Sequence, residues 1–106
     1  MKKGDIVLIP FPFTDLTGVK NRPAIILYTS DEDVVICFLT TQLKWRSDFD
    51  LIIHPNNYNG IKKVSLIRVT KIVTLSRSLV IGKIGFLQNE EIQLLNKSII
   101  KAFKLK

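Results

Sequence analysis

One histidine and one cysteine are all the imidazole and thiol that the 106 residues offer to a metal or to a histidine-based acid–base pair. His54 alone excludes two-histidine catalysis, and one histidine with one distant cysteine makes no zinc site. Cys37 cannot form an intramolecular disulfide, which fits a reducing compartment. It lies in the apolar run 34–39, where a lone cysteine serves as a small buried hydrophobe. No Gly-rich phosphate loop, dinucleotide fingerprint or nucleophile elbow occurs. No apolar run approaches membrane-spanning length. Met1-Lys2-Lys3 before Ile6-Val7-Leu8-Ile9 imitates a signal peptide. Asp5 interrupts it, Pro10 and Pro12 break the apolar stretch, and no small-residue cleavage site follows. The expectation is a cytoplasmic protein with no membrane contact, no metal and no cofactor. Linkers, repeats and low-complexity segments are absent too, so 1–106 reads as one domain.

Acidic residues are few. Nine Asp and Glu stand against sixteen Lys and Arg, a formal net charge of +7. The isoelectric point is about 9.8. Such a balance favours polyanions such as nucleic acid, an anionic membrane surface or an acidic protein. Apolar residues make up 46% of the chain and mean hydropathy is +0.21. A small chain has much surface per volume, so part of this apolar excess is expected at a homodimer interface.

The first two-thirds read as β. Runs rich in Ile and Val predict strands at 5–9, 23–28, 34–40, 50–53, 64–75 and 80–86, separated by turn residues. The second and third runs do not alternate cleanly, so both their faces should be covered. The last segment changes period. Ile92, Leu95, Ile99, Ala102 and Phe103 fall on one helical face. Gln88 can cap that helix with Glu91 at the third position, and Leu87 and Ile92 occupy the staple positions. Glu90 and Glu91 in the first turn and Lys101 and Lys104 in the last match the helix dipole. The class is mainly β, a small SH3-like barrel with a C-terminal helix.

Arg22 stands before Pro23, which restricts it to extended conformations. Its guanidinium offers a planar fork suited to phosphate and stays protonated. A surface arginine opening a strand is the plain alternative. Thr40 and Thr41 end the third strand, where threonine is also ordinary β chemistry. If strands two and three pair through the Ser30-Asp31 turn, the start of one meets the end of the other. Arg22 and Thr40 are then neighbours. Lys44-Trp45-Arg46 sets an aromatic between two cations beside that strand end. The triplet suits a stacked base with phosphate on the cations, and equally a partner-subunit contact. Phe11, Phe13 and Lys20 lie in the first loop and can cover a ligand, though both Phe can also be core. Arg68 and Arg77 are expected in structural ion pairs. His54, beside Pro55 at a strand end, reads as an exposed loop residue, and Asp31-Glu32-Asp33 as a solvated turn.

Taken together these segments resemble the MazF/PemK family of toxins from type II toxin–antitoxin systems. The resemblance rests on G-D-I-V-L-I-P-F-P-F-T-D at 4–15, K-N-R-P-A at 20–24 and L-T-T-Q at 39–42. It continues through S-L-I-R-V-T-K-I at 65–72, the following R-S-L, I-G-K-I-G-F-L and the closing helix. It implies a MazF/PemK/CcdB-type barrel that dimerises and cleaves single-stranded RNA at short sequences without a metal, an mRNA interferase. It also implies a cognate acidic antitoxin. Arg22 and Thr40 would carry catalysis, with Thr41 one position away as a substrate contact. Phe11, Thr14 and Lys20 would lie on the family's mobile loop over the site. Lys44, Trp45 and Arg46 would hold substrate. Relatives on the same fold instead inhibit DNA gyrase, and a plain nucleic-acid-binding barrel is the third reading.

Overall fold

The computed structural model describes residues 1–12 and 19–106 and, for 11, 12 and 19, the backbone alone. Six strands form one antiparallel sheet: β1 (Asp5–Pro12), β2 (Val19–Thr29), β3 (Asp33–Thr40), β4 (Leu51–Ile53), β5 (Ser65–Ser76) and β6 (Gly82–Phe86). Their order across the sheet is β4-β5-β3-β2-β1-β6. Register shifts break the β1–β6, β2–β3 and β3–β5 ladders. Such bulges bend strands and increase twist, which curls the sheet into the barrel-like class expected from the sequence.

The unalternating apolar strands are covered on both faces, as expected. Ile6, Ile25, Cys37 and Leu39 belong to one buried cluster, and the neighbouring Val7, Ala24, Ile26 and Ile36 belong to another. Successive strand residues point to opposite faces, so β1, β2 and β3 separate two cores. The first is closed by α1 (Asn89–Ala102) through Leu95, Ile92 and Ile99. The second is covered by Phe38, Leu75 and Val80.

The helix start matches its capping reading. The Gln88 N–H donates to Glu91 Oε1 at 2.8 Å, and Leu87 and Ile92 pack in the same core. The helix end does not. Phe103 is the C-cap and 49% exposed, and Lys104 lies beyond it at φ 55°. The helix ends at Ala102, so Phe103 does not join the buried face and Lys104 does not stand in the last turn.

A second correction concerns β1, which runs through Pro10 and Pro12 instead of stopping at Ile9. The Leu8 carbonyl accepts the Ile81 N–H, so Leu8 presents its polar backbone groups to the β6 side. Pro10 and Pro12 share that parity, and β1–β6 pairing has already ended at Leu8↔Gly82. Their missing N–H groups fall on an unpaired edge, where proline is tolerated.

Candidate functional site

The extended hairpin changes where Arg22 sits. It does not end a loop at the mouth of two strands; it lies inside β2, paired with Ile9. What opens beside it is the next ladder. The β2–β3 register runs only to Ala24↔Phe38, and Pro23, the next residue, has no N–H to extend it. Two residues further along each strand stand Arg22 and Thr40, both half-buried. They share the face of the second apolar core.

A bulge in β5 builds the opposite wall. From Cys37 to Leu39, two steps along β3, the partner changes from Ile72 to Ile67, five steps along β5. Residues 68–71 therefore stand out of the ladder. Arg68, Thr70 and Lys71 from this bulge line a cavity of about 510 Å³. Arg22, Phe38 and Thr40 line it too, as does Trp45 from a 3-10 turn at Leu43–Trp45. The lining carries arginine and lysine and, among the described residues, no carboxylate.

Thr40 is held in a defined orientation. Its Oγ1 accepts the Gln42 N–H at 3.1 Å. A hydroxyl has one donor and two acceptor sites, so that contact leaves the Thr40 O–H able to donate. Thr41 is exposed and does not line the cavity. Trp45 is 56% exposed, which leaves much of its ring open to a stacking partner. Lys44 and Arg46 flank it, but both are exposed outside the lining. Lys20 is exposed within β2, opposite Phe11, and is also outside the lining. Phe13 and Thr14 fall outside the described residues, as does the side chain of Phe11.

Arg68 is the residue that the sequence reading undervalued. It does pair, its Nε lying 3.1 Å from Asp50 Oδ2, but it also lines the cavity with Arg22. The signal was an arginine between Ile67 and Val69 in an apolar run, since a charge there requires a partner. Arg77 departs from the ion-pair expectation. Its Nη1 donates to the Ser30 carbonyl at 2.9 Å, bracing the β2–β3 turn, and it has no acidic partner among the described residues. His54 is exposed and away from the cavity. Cys37 is a free, buried thiol, and burial pushes its pKa up to about 12. Asp31, Glu32 and Asp33 are exposed. Among the described residues no group of three or more His, Cys, Asp or Glu could hold a metal.

Guanidinium groups, an oriented hydroxyl and an exposed indole in one concave site can bind a phosphate and stack an adjoining base. Among the described residues no helix is long and apolar enough to cross a membrane. Solved structures share the fold. The toxin MazF-mt6 of Mycobacterium tuberculosis superposes with a TM-score of 0.76 at 20% identity, over 96% of this chain and 98% of that one. MazE-MazF of Deinococcus radiodurans gives a TM-score of 0.78 at 17% identity, over 100% and 97%. A mycobacterial endoribonuclease in complex with its cognate antitoxin gives 0.76 at 18%, over 100% and 97%. No curated protein sequence matches the chain. The sequence profile of the PemK-like, MazF-like toxin of type II toxin–antitoxin systems matches residues 2–103, and the chain belongs to that family.

Proposed function

We propose that this toxin is a metal-independent endoribonuclease that cleaves single-stranded RNA, with Arg22 and Thr40 as its catalytic residues. The observation that carries this reading is the convergence of Arg22 and Thr40, from different strands, in one cavity that Trp45, Arg68 and Lys71 also line. The ribose 2′-hydroxyl can attack its own 3′-phosphate, forming the P–O2′ bond and breaking the P–O5′ bond. The products are a 2′,3′-cyclic phosphate and a 5′-hydroxyl. That reaction needs the phosphate held in line and its developing charge stabilised. Arg22 supplies a forked contact to the non-bridging oxygens, and Thr40 donates a hydroxyl hydrogen bond to the same centre. Arginine is a poor general base, so its role is electrostatic. Trp45 stacks a base, worth about 1–3 kcal/mol. Lys20, Thr41, Lys44 and Arg46 lie outside the cavity and would follow the RNA beyond it, and Phe11 and Thr14 would add further substrate contacts.

Two partners follow from the same surface. A homodimer would bury exposed apolar side chains and join two basic faces into a longer groove. A groove that binds RNA also binds an acidic, disordered peptide, which can follow an extended surface and order on binding. We therefore assign the chain a small acidic antitoxin whose tail covers Arg22. The test is incubation of the purified protein with a long single-stranded RNA. Discrete fragments are expected; an RNA left intact by folded, antitoxin-free protein would overturn the reading.

A further inference from the structure

Arg68 sits where a guanidinium needs a reason to be. It belongs to the β5 bulge, its side chain is 18% exposed, and it lines the cavity that holds Arg22 and Thr40. Its Nε faces Oδ2 of Asp50, whose side chain is fully buried. The same oxygen accepts the Ser47 N–H at 3.0 Å, which fixes the carboxylate to the chain just before β4. A buried ion pair is often no more stabilising than apolar residues of the same volume, so stability alone does not account for it. The geometry also leaves something over. The Nε–Asp50 contact is an ion pair without hydrogen-bond geometry, and the guanidinium keeps its two terminal amino groups in a rigid plane. Among the described residues Arg68 makes no hydrogen bond, and its one ion pair is with Asp50.

We propose that Arg68 is a second phosphate-binding guanidinium of the cavity, with Asp50 as its positioning residue and an RNA phosphodiester adjoining the one at Arg22 as its ligand. This rests on the reading of the cavity as an RNA site. Arg22 and Arg68 reach it from opposite walls, β2 and the β5 bulge, so a strand passing under Trp45 meets a cation on each side.

The probe is a single-stranded RNA of about 20 nucleotides with 2′-O-methyl riboses. It lacks the attacking hydroxyl and so reports binding apart from cleavage. The double variant Arg68→Met/Asp50→Leu removes both charges and leaves neither unpaired. It should bind the probe about tenfold or more weakly, with a log–log salt slope shallower by about 0.7, the share of one phosphate contact on a single strand. Arg68→Lys keeps a charge beside Asp50 and should preserve the slope while losing affinity. Asp50→Asn should weaken binding when Arg68 is present and change nothing in an Arg68→Met background. A general structural role for Asp50 would not produce that dependence. Thermal unfolding checks the fold of each variant. If the double variant does not fold, Arg68→Lys decides, and unchanged affinity and cleavage in it overturn the assignment. A folded double variant with wild-type affinity and slope overturns it too, even while wild-type protein cleaves RNA. Protein that binds the probe through Arg68 but cuts no RNA upholds the assignment and sinks the endoribonuclease reading. Protein that does not bind the probe at all overturns both.

Discussion

Arg22 and Thr40 stand in one cross-strand row, two residues beyond the last β2–β3 pair, Ala24↔Phe38, and line one cavity. The row exists because Pro23 ends the β2–β3 ladder, and the cavity opens beside it because β5 leaves the ladder between its pairs with Cys37 and Leu39.

The first consequence concerns Arg22. Replacing it by Ala should lower cleavage by two to three orders of magnitude, roughly 3–4 kcal/mol of transition-state stabilisation. The fold should remain, since Arg22 lies at the half-buried end of the core. Arg22→Lys should rescue poorly, because a point charge lacks the fork. Single-turnover kinetics with circular dichroism on each variant would check this, and an Arg22→Ala protein cleaving at the wild-type rate would refute the site.

Thr40 and Thr41 separate cleanly. Thr40 lines the cavity with its hydroxyl set by Gln42, whereas Thr41 is exposed outside it. Thr40→Ala should slow cleavage about tenfold or more, and Thr41→Ala should stay within about twofold. The reverse order would shift the assignment by one residue.

Much of this was legible before any coordinates. The Ser30-Asp31 turn, followed by apolar runs on both sides, was enough to bring Arg22 toward Thr40. The helix face was legible through Ile92, Leu95 and Ile99. Other features depend on pairing that no local pattern carries. Pro10 and Pro12 look like strand breakers until β6 is seen to end at Leu8. The bulge at 68–71 follows from register against β3, while the S-L-I-R-V-T run itself reads as uninterrupted strand. Arg68 thus reads from the sequence only as a structural ion-pair member, because the cavity that it lines with Arg22 is not a sequence feature.

Trp45 offers a third test. Over half exposed above the cavity, it should lose fluorescence intensity or shift on binding single-stranded RNA. Trp45→Ala should weaken that binding about 5- to 150-fold, the range of one lost stacking contact. Unchanged affinity, with the dimer weakened instead, would reassign Trp45 to a subunit contact.

Cys37 supplies a prediction about pH. Burial raises its pKa to about 12 in the folded protein, against about 8.5 in an unfolded chain. The folded state therefore holds the thiol proton across that interval while the unfolded state releases it. Stability from this group is fully present below about pH 8.5 and falls as pH rises toward 12. Cys37→Val should flatten part of the alkaline loss in urea titrations, and native protein should resist thiol-specific reagents at pH 8. Rapid labelling of the native protein would contradict the buried placement.

The most direct test of the account is product analysis of a single-stranded RNA cut in excess EDTA. The account requires wild-type cleavage to persist without divalent metal, to leave 2′,3′-cyclic phosphate and 5′-hydroxyl ends, and to fall by about two to three orders of magnitude in Arg22→Ala. Cleavage lost in EDTA and restored by magnesium, or products with 5′-phosphate ends, would contradict it.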